Sequence, residues 1–381
     1  MALLTINSLQ AAEVFKTQVT PSFELALNWV KKSPLPPPHF AHLMALANEC
    51  GERALKISSY EKPFALAFLL TLENLEPKWK GILSEALKSK IIPVENAKHT
   101  AQLINRIEHE WIIQKKQALA MALKASTDSS SEDGQWRPTL PQYAPPVLPF
   151  WHELLKFEGT DFDLLTRGLV PNHILSPAYY AELDEVWELG NKENHDPRLE
   201  NIAKFWAAGS GTVTPPGMWL EAALKALPFT TYSEDQKFSI LRGLTTALSY
   251  AGMTCWKIKY KFNTWRPISA IRETGLDTNW TPRLATPPFP SYVSGHSTFS
   301  AAAATFLNAF GINHLSFQDE KGERKHFTKA WTAAKEAGKS RIYGGIHYES
   351  DNKDGLELGK RVACKTLKLM NRSCLNNEGR L

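Results

Sequence analysis

Three stretches in the last third of the chain carry residue types that could act together on an anion. Lys259 and Arg266 stand seven residues apart, which on a helix is about two turns, or roughly 10 Å along one side. The apolar series Phe238, Leu241, Leu244, Leu248, Ala251, Cys255 and Ile258 marks a buried helical face, and Lys259 falls in the same stripe. A lysine aimed at a core costs several kcal/mol unless an anion meets it. Pro267 is expected to end that helix directly after Arg266.

The second stretch is Pro287-Pro-Phe-Pro-Ser-Tyr-Val-Ser-Gly-His296, followed by an alanine-rich helical run. Ser294 is placed to cap that helix, and Gly295 lets a ligand approach the backbone. Unpaired amides and the dipole at a helix start favour an anion. His296 in the first turn could then act as acid or base. The third stretch, Ser340-Arg341-Ile-Tyr-Gly-Gly-Ile-His347-Tyr-Glu-Ser-Asp351, supplies a third cation and a histidine with a carboxylate four residues on. On a helix, His347 and Asp351 would share a face. Asp351 would hold one imidazole nitrogen as donor and leave the other as nucleophile or ligand. Gly344-Gly345 frees Arg341 from helical spacing with His347. Three cations, a helix start and two histidines suit a tetrahedral oxyanion that becomes five-coordinate at His347.

The elements that must position these groups read as helices. The chain has 381 residues, of which 43% are hydrophobic and 22% charged, so a sizeable core can form. Leu, Ala and aromatic residues recur at three- and four-residue spacing over 10–30, 39–59, 65–75, 78–92 and 94–124. They recur again over 177–190, 197–207, 219–227, 233–265, 297–311, 328–342 and 354–371. Ser233-Glu-Asp-Gln236 has the capping-box pattern. Ser126–Gln135 is polar and ends beside Gly134, which predicts an exposed, mobile loop. Trp136–Trp151 contains five prolines and is predicted to wrap, extended, over a helical body. No alternating strand pattern stands out. The fold class is therefore all-α, with two packed helical bundles and the oxyanion site in the C-terminal one. The boundaries are an N-terminal helical domain at 1–125, the loop and Pro/Trp-rich segment at 126–176, and the C-terminal bundle at 177–381.

Other patterns exclude function classes. A net charge of +5, from 44 basic and 39 acidic residues without a dense basic run, gives no nucleic-acid signature. No apolar stretch approaches the roughly 20 residues a bilayer requires. Cys50, Cys255, Cys364 and Cys374 are scattered and suggest four reduced, mostly buried thiols. His39 and His42 read as the polar face of a first helical turn. His109-Glu110 lacks the second histidine of a zinc-protease motif, because position 113 is Ile. Gly209-Ser-Gly211 lacks both the third glycine and the strand of a dinucleotide site. The N-terminus lacks a basic region and a long apolar region, so the expected location is cytoplasmic if Met1 is the native start, and periplasmic or secreted if a signal peptide was removed.

The series Lys259-x6-Arg266-Pro267, Pro290-Ser-Tyr-Val-Ser-Gly-His296 and Ser340-Arg341-x5-His347-x3-Asp351 resembles the signature of the phosphatidic-acid-phosphatase type 2 superfamily, over about residues 256–355. The Pro-Pro-Phe-Pro lead-in, the long helical N-terminal half and the Trp136–Trp151 passage resemble its vanadium-dependent haloperoxidase branch. That resemblance implies a vanadate cofactor and oxidation of halide by hydrogen peroxide to hypohalous acid, with bromide or iodide easier to oxidise than chloride. It implies that His347 coordinates vanadium and that His296 is the acid–base group, with Asp351 behind His347. It further implies that Lys259, Arg266, Ser294, Gly295 and Arg341 hold the vanadate oxygens, and that Trp256 and Phe289 line a halide pocket. The residues alone do not separate vanadate from phosphate. The rival reading is a soluble acid phosphatase acting on a phosphomonoester through a phosphohistidine, with His347 as nucleophile. A binding protein with a degraded site is a third reading, and an association into homo-oligomers is left open. The resemblance departs at Ala208 and Gly209, where relatives carry an acid that bears on arginine orientation and halide preference.

Overall fold

Why helices start where they do is legible in local chemistry. In a computed structural model describing residues 13–57, 63–93, 102, 109–124, 130, 132–157 and 162–374, Pro occupies the first turn of helix after helix. Its missing N–H is no loss there and its fixed φ suits the helix. Such starts open α1 (Thr20–Lys32), α2 (Pro37–Ile57) and α3 (Pro63–Leu75). Then come α4 (Ile82–Lys88), α5 (His109–Ala122) and α6 (Pro177–Leu189), the last capped by Ser176 accepting from the Tyr179 amide at 3.2 Å. In α7 (Pro197–Phe205) the Asp196 carboxylate caps at 2.8 Å to the Arg198 amide. Helix α8 (Thr214–Ala226) begins five residues before the sequence expectation, because Pro215 and Pro216 lie inside its first turn rather than ahead of it.

Helix α9 (Glu234–Phe262) is the longest, and α10 (Pro267–Glu273) follows it. Ser233 and Gln236 form the expected capping box, with Gln236 Oε1 accepting from the Ser233 amide at 2.9 Å. Then come α11 (Gly295–Asn308), strands β1 (Leu315–Gln318) and β2 (Arg324–Phe327), α12 (Ala330–Tyr343) and α13 (Glu349–Leu369). The fold is all-α as expected, apart from one antiparallel hairpin with Leu315 opposite Phe327 and Gln318 opposite Arg324. No strand was foreseen there, since β2 alternates exposed and half-buried residues without an apolar face. Half of the expected 126–135 loop, residues 94–101 and 103–108, and residues 1–12 lie outside the described residues. No described helix is long and apolar enough to cross a membrane.

The chain divides into two units. The first comprises residues 1–119 and 209–249. Its core is aromatic, with the Phe23 and Phe68 rings 4.8 Å apart and Phe64 against Phe68 at 5.7 Å. His39 and His42, expected on a polar face, are buried here at 3% exposure, and desolvation pushes both imidazoles down to about 3. They are neutral core histidines, His42 Nδ1 lying 2.9 Å from Ser249 Oγ.

The second unit comprises 120–208 and 250–381. Within it the Trp136–Trp151 segment is neither helix nor central strand, as expected, but it turns at 140–142 and 149–150 rather than running extended, and it is not merely draped outside: Trp136 and Trp151 are buried. Its main chain pairs with the ligand-bearing loops, Trp136 N to Asn263 O at 2.6 Å and Val147 N to Pro288 O at 2.9 Å. Cys364 and Cys374 form a disulfide, which corrects the expectation of four reduced thiols; Cys50 and Cys255 are buried and outside any disulfide. A spacing of ten residues gave no pattern from which to foresee that pair.

Helices α11, α12 and α13 meet with almost no side chain between them. The Ala301–Ala304 run of α11 is fully buried. On α13, a methyl at Gly355 would stand 2.8 Å from the Ser294 carbonyl oxygen, and one at Gly359 would stand 2.8 Å from Ala301 Cβ and press into the Thr298 carbonyl. Such spacing is far inside van der Waals contact, and backbone atoms cannot swing away. Gly359→Ala is therefore expected to destabilise the protein by about 1–3 kcal/mol through overpacking. Gly209→Ala, where the new methyl meets nothing within 4 Å, should change stability by less than about 0.5 kcal/mol. Urea unfolding midpoints of the two variants check this; equal effects would refute the packing account.

Candidate oxyanion site

Lys259 lies in the last turn of α9, and its ammonium is fully buried. It donates to the carbonyls of Pro290 and Ser291 at 2.7 and 2.9 Å, and lies 5.8 and 5.1 Å from the Trp256 and Phe289 ring centres. Arg266 reaches the same place by a different path from that expected. Helix α9 stops at Phe262, Asn263 takes φ +51°, and Arg266 is the N-cap of α10 rather than the end of a continuous helix. The turn arises because the chain must lie extended before Pro267. Arg266 is also fully buried, with Nε donating to Phe289 O at 2.8 Å and Nη1 to Ile346 O at 2.7 Å. Its Nη2 is buried with no hydrogen-bond partner. Arg341, in the last turn of α12, is 1% exposed and donates to Ser340 Oγ at 2.9 Å and Ala203 O at 2.8 Å.

Burial pushes all three cations down: Lys259 to about 7, Arg266 to about 10 and Arg341 to about 9. For Lys259 and Arg266 the nearby Asp351 charge opposes this; for Arg341 desolvation acts alone. Carbonyl groups orient the cations without cancelling their charge, so the pocket is primed for an anion.

His347 and Asp351 meet, although not as a helical i, i+4 pair. His347 precedes α13 and Asp351 sits in its first turn, so the turn around Tyr348 brings them together. His347 Nδ1 is 2.7 Å from Asp351 Oδ2, which also accepts from Ser291 Oγ at 2.5 Å and the Tyr348 amide at 3.2 Å. Asp351 thus holds the proton on Nδ1. Nε2 then carries the lone pair, and it receives Arg266 Nη1 at 3.1 Å. Burial and the charges of Arg266, Lys259 and Arg341 hold His347 far below the ordinary imidazole range. Burial pushes the Asp351 carboxyl up, against the Ser291 hydrogen bond and the Lys259 charge.

Ser294 caps α11 as expected, its Oγ accepting from the Ser297 amide at 3.3 Å and leaving its own proton to donate. Gly295 opens the helix. A methyl there would meet only the Trp256 ring, at 3.6 Å, so no protein atom demands glycine and the open face belongs to the pocket. His296 is half-buried; its Nε2 donates to Trp206 O at 3.0 Å. Burial, then the charges of Arg341 and His347, keep it neutral well below 6.5. Trp256 and Phe289 stand 5.0 Å apart, with Trp256 Nε1 anchored on Val147 O at 3.1 Å.

Several contributors were not singled out from sequence. Ser291 joins Lys259 to Asp351, and Ala203 and Trp206 act through main-chain oxygens that no residue type announces. Trp206 is itself fixed by Glu336, which accepts from its Nε1 at 2.9 Å, and by the hairpin's Phe317 at 5.0 Å. Arg283 donates to the carbonyls of Leu189, Asn194 and Tyr343, stapling the chain just before the Gly344-Gly345 bend. Ala208 has φ +42° and stands two residues after Trp206, whose carbonyl His296 uses.

Residues 239–376 match the family model described as the VCPO second helical-bundle domain. The vanadium chloroperoxidase of Curvularia inaequalis is 24% identical over 227 residues, covering 42% of this chain and 37% of that protein. Among solved structures, a bacterial vanadium-dependent iodoperoxidase superposes with a TM-score of 0.76 at 24% identity, over 92% of this chain and 95% of that one. A bacterial vanadium-dependent chloroperoxidase in its holo form gives 0.66 at 13% identity, over 89% and 93%. The domain match falls on the cationic histidine pocket, and the fold is shared along nearly the whole chain with these vanadium-dependent enzymes.

Proposed function

We propose that the chain is a vanadate-dependent haloperoxidase that uses hydrogen peroxide to oxidise halide, bromide or iodide in preference to chloride, to hypohalous acid. One observation carries the reading: three buried cations and one carboxylate act on His347, and Arg266 Nη2 is buried with no hydrogen-bond partner. A tetrahedral oxyanion of charge about −2 matches that surplus, and a methyl-sized space at Gly295, bounded by the Trp256 ring, gives it room. Lys259, Arg266 and Arg341 would hold its oxygens, with the Ser294 hydroxyl and Gly295 amide, and His347 Nε2 would bind the metal. When bound, vanadate supplies a Lewis-acidic centre that activates peroxide towards halide. The protein's own groups do the rest. Asp351 keeps the proton on His347 Nδ1, so Nε2 stays a lone pair. His296, neutral at pH 7, accepts a proton from peroxide as it binds. Trp256 and Phe289 offer an aromatic wall on which a weakly hydrated halide can rest. The iodoperoxidase likeness supports the larger, more easily oxidised halides.

Halogenation of an acceptor dye tests this directly. With vanadate and peroxide, iodide and bromide should be consumed, and activity should vanish in His347→Ala. His296→Ala should lose about 10²–10⁴-fold in rate, the usual weight of a positioned base. Hydrolysis of p-nitrophenyl phosphate without any halide oxidation would replace the reading with the phosphatase one.

Lys259 gives a second check. Above pH 10.5 the lysine is neutral in both folded and unfolded chains. As pH falls, the unfolded chain takes the proton first, so stability is lost from 10.5 down to about 7. Anion-free Lys259→Met should therefore melt higher than the wild type at pH 7, by about 2–4 °C for each kcal/mol of burial cost removed. Added phosphate or vanadate should raise the wild-type melting temperature and leave the variant's nearly unchanged. A variant that gains as much from the anion would show that Lys259 does not face it.

A further inference from the structure

A second carboxylate, which the proposed chemistry does not use, lines a small cavity together with Asp351. Glu182 projects from α6 and is 6% exposed. Its Oε2 accepts from the Ser350 amide at 2.9 Å and its Oε1 from Ser350 Oγ at 3.0 Å. Ser350 is the second residue of α13, so Glu182 satisfies an orphan amide of that helix from another helix, one residue before Asp351.

Two cavities meet at this contact. One, of about 460 Å³, is lined by Glu182, Glu185, Glu349, Ser350, Lys353 and Asp354. The other, of about 20 Å³, is bounded by Glu182, Ser350, Asp351, Tyr179 and Tyr348 among others, a size that admits about one water. Glu182 and Ser350 form the wall between them. Glu182 is thus reachable by solvent protons on one face and close to Asp351 on the other. Tyr179 and Tyr348, their hydroxyls 3.2 Å apart, and Trp265, which donates to Tyr179 at 2.6 Å, close the apolar side.

We propose that Glu182 is a positioning residue: its charge, set by solvent through the outer cavity, adjusts the proton affinity of His347 through Asp351. Ionised, Glu182 places a second negative charge near Asp351. That charge strengthens the hold on the Nδ1 proton and makes Nε2 a better electron donor. Protonated, it withdraws that support while keeping its bonds to Ser350. The groups facing Glu182 are Asp351, Glu349, Asp354 and Lys353 of α13, Tyr179 and Glu185 of α6, and Tyr348. Lys339 of α12 lies beyond, bonded to Glu185 and Glu349 at 3.2 and 3.0 Å. Burial, with Asp351 adding to it, pushes the carboxyl up to about 7 against the Ser350 bonds, so the change falls within the working range of pH. The catalytic consequence rests on the function proposed above; the electrostatic link does not.

The test is histidine ¹⁵N NMR of the full, anion-free chain from pH 5 to 9, with His347 assigned by loss of its signals in His347→Gln. The His347 nitrogens should show an inflection near pH 7 while the ring stays neutral. Lys259→Met, which removes the lysine that titrates in the same range, should retain it, and in that background Glu182→Gln should abolish it and Glu182→Asp should move its midpoint. With vanadate bound, Glu182→Gln should lower kcat about tenfold above pH 7, the scale of an outer partner of a metal-bound histidine. The KM for peroxide should stay unchanged, and so should kcat near pH 5.5. An inflection that is absent in Lys259→Met, or that persists when Glu182→Gln is added to it, overturns the proposal. If Glu182→Gln does not fold, an unmoved midpoint in Glu182→Asp overturns it. The expected inflections in a protein that oxidises no halide would overturn the haloperoxidase reading and leave this one standing.

Discussion

A surplus of positive charge in a dry core is the constraint on which the rest depends. Lys259, Arg266 and Arg341 are all but sealed from water, and burying a charge without a counter-charge is among the costliest things a fold can do. The protein meets this with main-chain carbonyls. Pro290 and Ser291 serve Lys259, Phe289 and Ile346 serve Arg266, and Ala203 serves Arg341. A carboxylate would neutralise the cations and leave nothing for an anion to recognise. A carbonyl dipole fixes their direction and leaves the charge intact.

That solution explains why irregular backbone surrounds the site. Carbonyls inside helices are already committed to the helix. The run Pro287–Ser294 cannot be helical, because its prolines lack the N–H and restrict their predecessors. Its oxygens are therefore free to face inwards. The 134–147 segment pins this run from outside through Val147, which bonds Pro288 and accepts from Trp256 and Tyr260. The same logic needs helices that approach closely behind the loop. Glycine and alanine on α11 and α13 bring the helix start at Gly295 beside Asp351, whose carbonyl accepts from the Ser294 amide at 2.9 Å.

Much of the fold and the site was legible in sequence, for physical reasons that differ by residue. Long apolar stripes gave the helices, and Ser233–Gln236 and Ser294 gave two of their starts. Lys259 stood out because a cation fell in an apolar stripe. The route to Arg266 was misjudged: helical spacing ignored that Pro267 forces extended backbone one residue earlier. His347 and Asp351 were paired on helical spacing, yet a turn at a helix start joins them. The hairpin, the Cys364–Cys374 bond and the main-chain contacts of Ala203 and Trp206 left no periodic trace. Glu182 was invisible for a related reason. One glutamate among many on α6 matters only because α13 starts beside it.

The two histidines are tuned from opposite sides. His347 is supported from behind by Asp351, so a carboxylate favours its Nδ1 proton. His296 is bonded instead to the Trp206 carbonyl, and the Arg341 charge opposes its protonation. Arg341 is held by a carbonyl and a hydroxyl, which fix its direction and leave its charge intact. That charge draws an anion into the pocket and keeps the outer histidine a base to lower pH, so both properties are read through the same guanidinium.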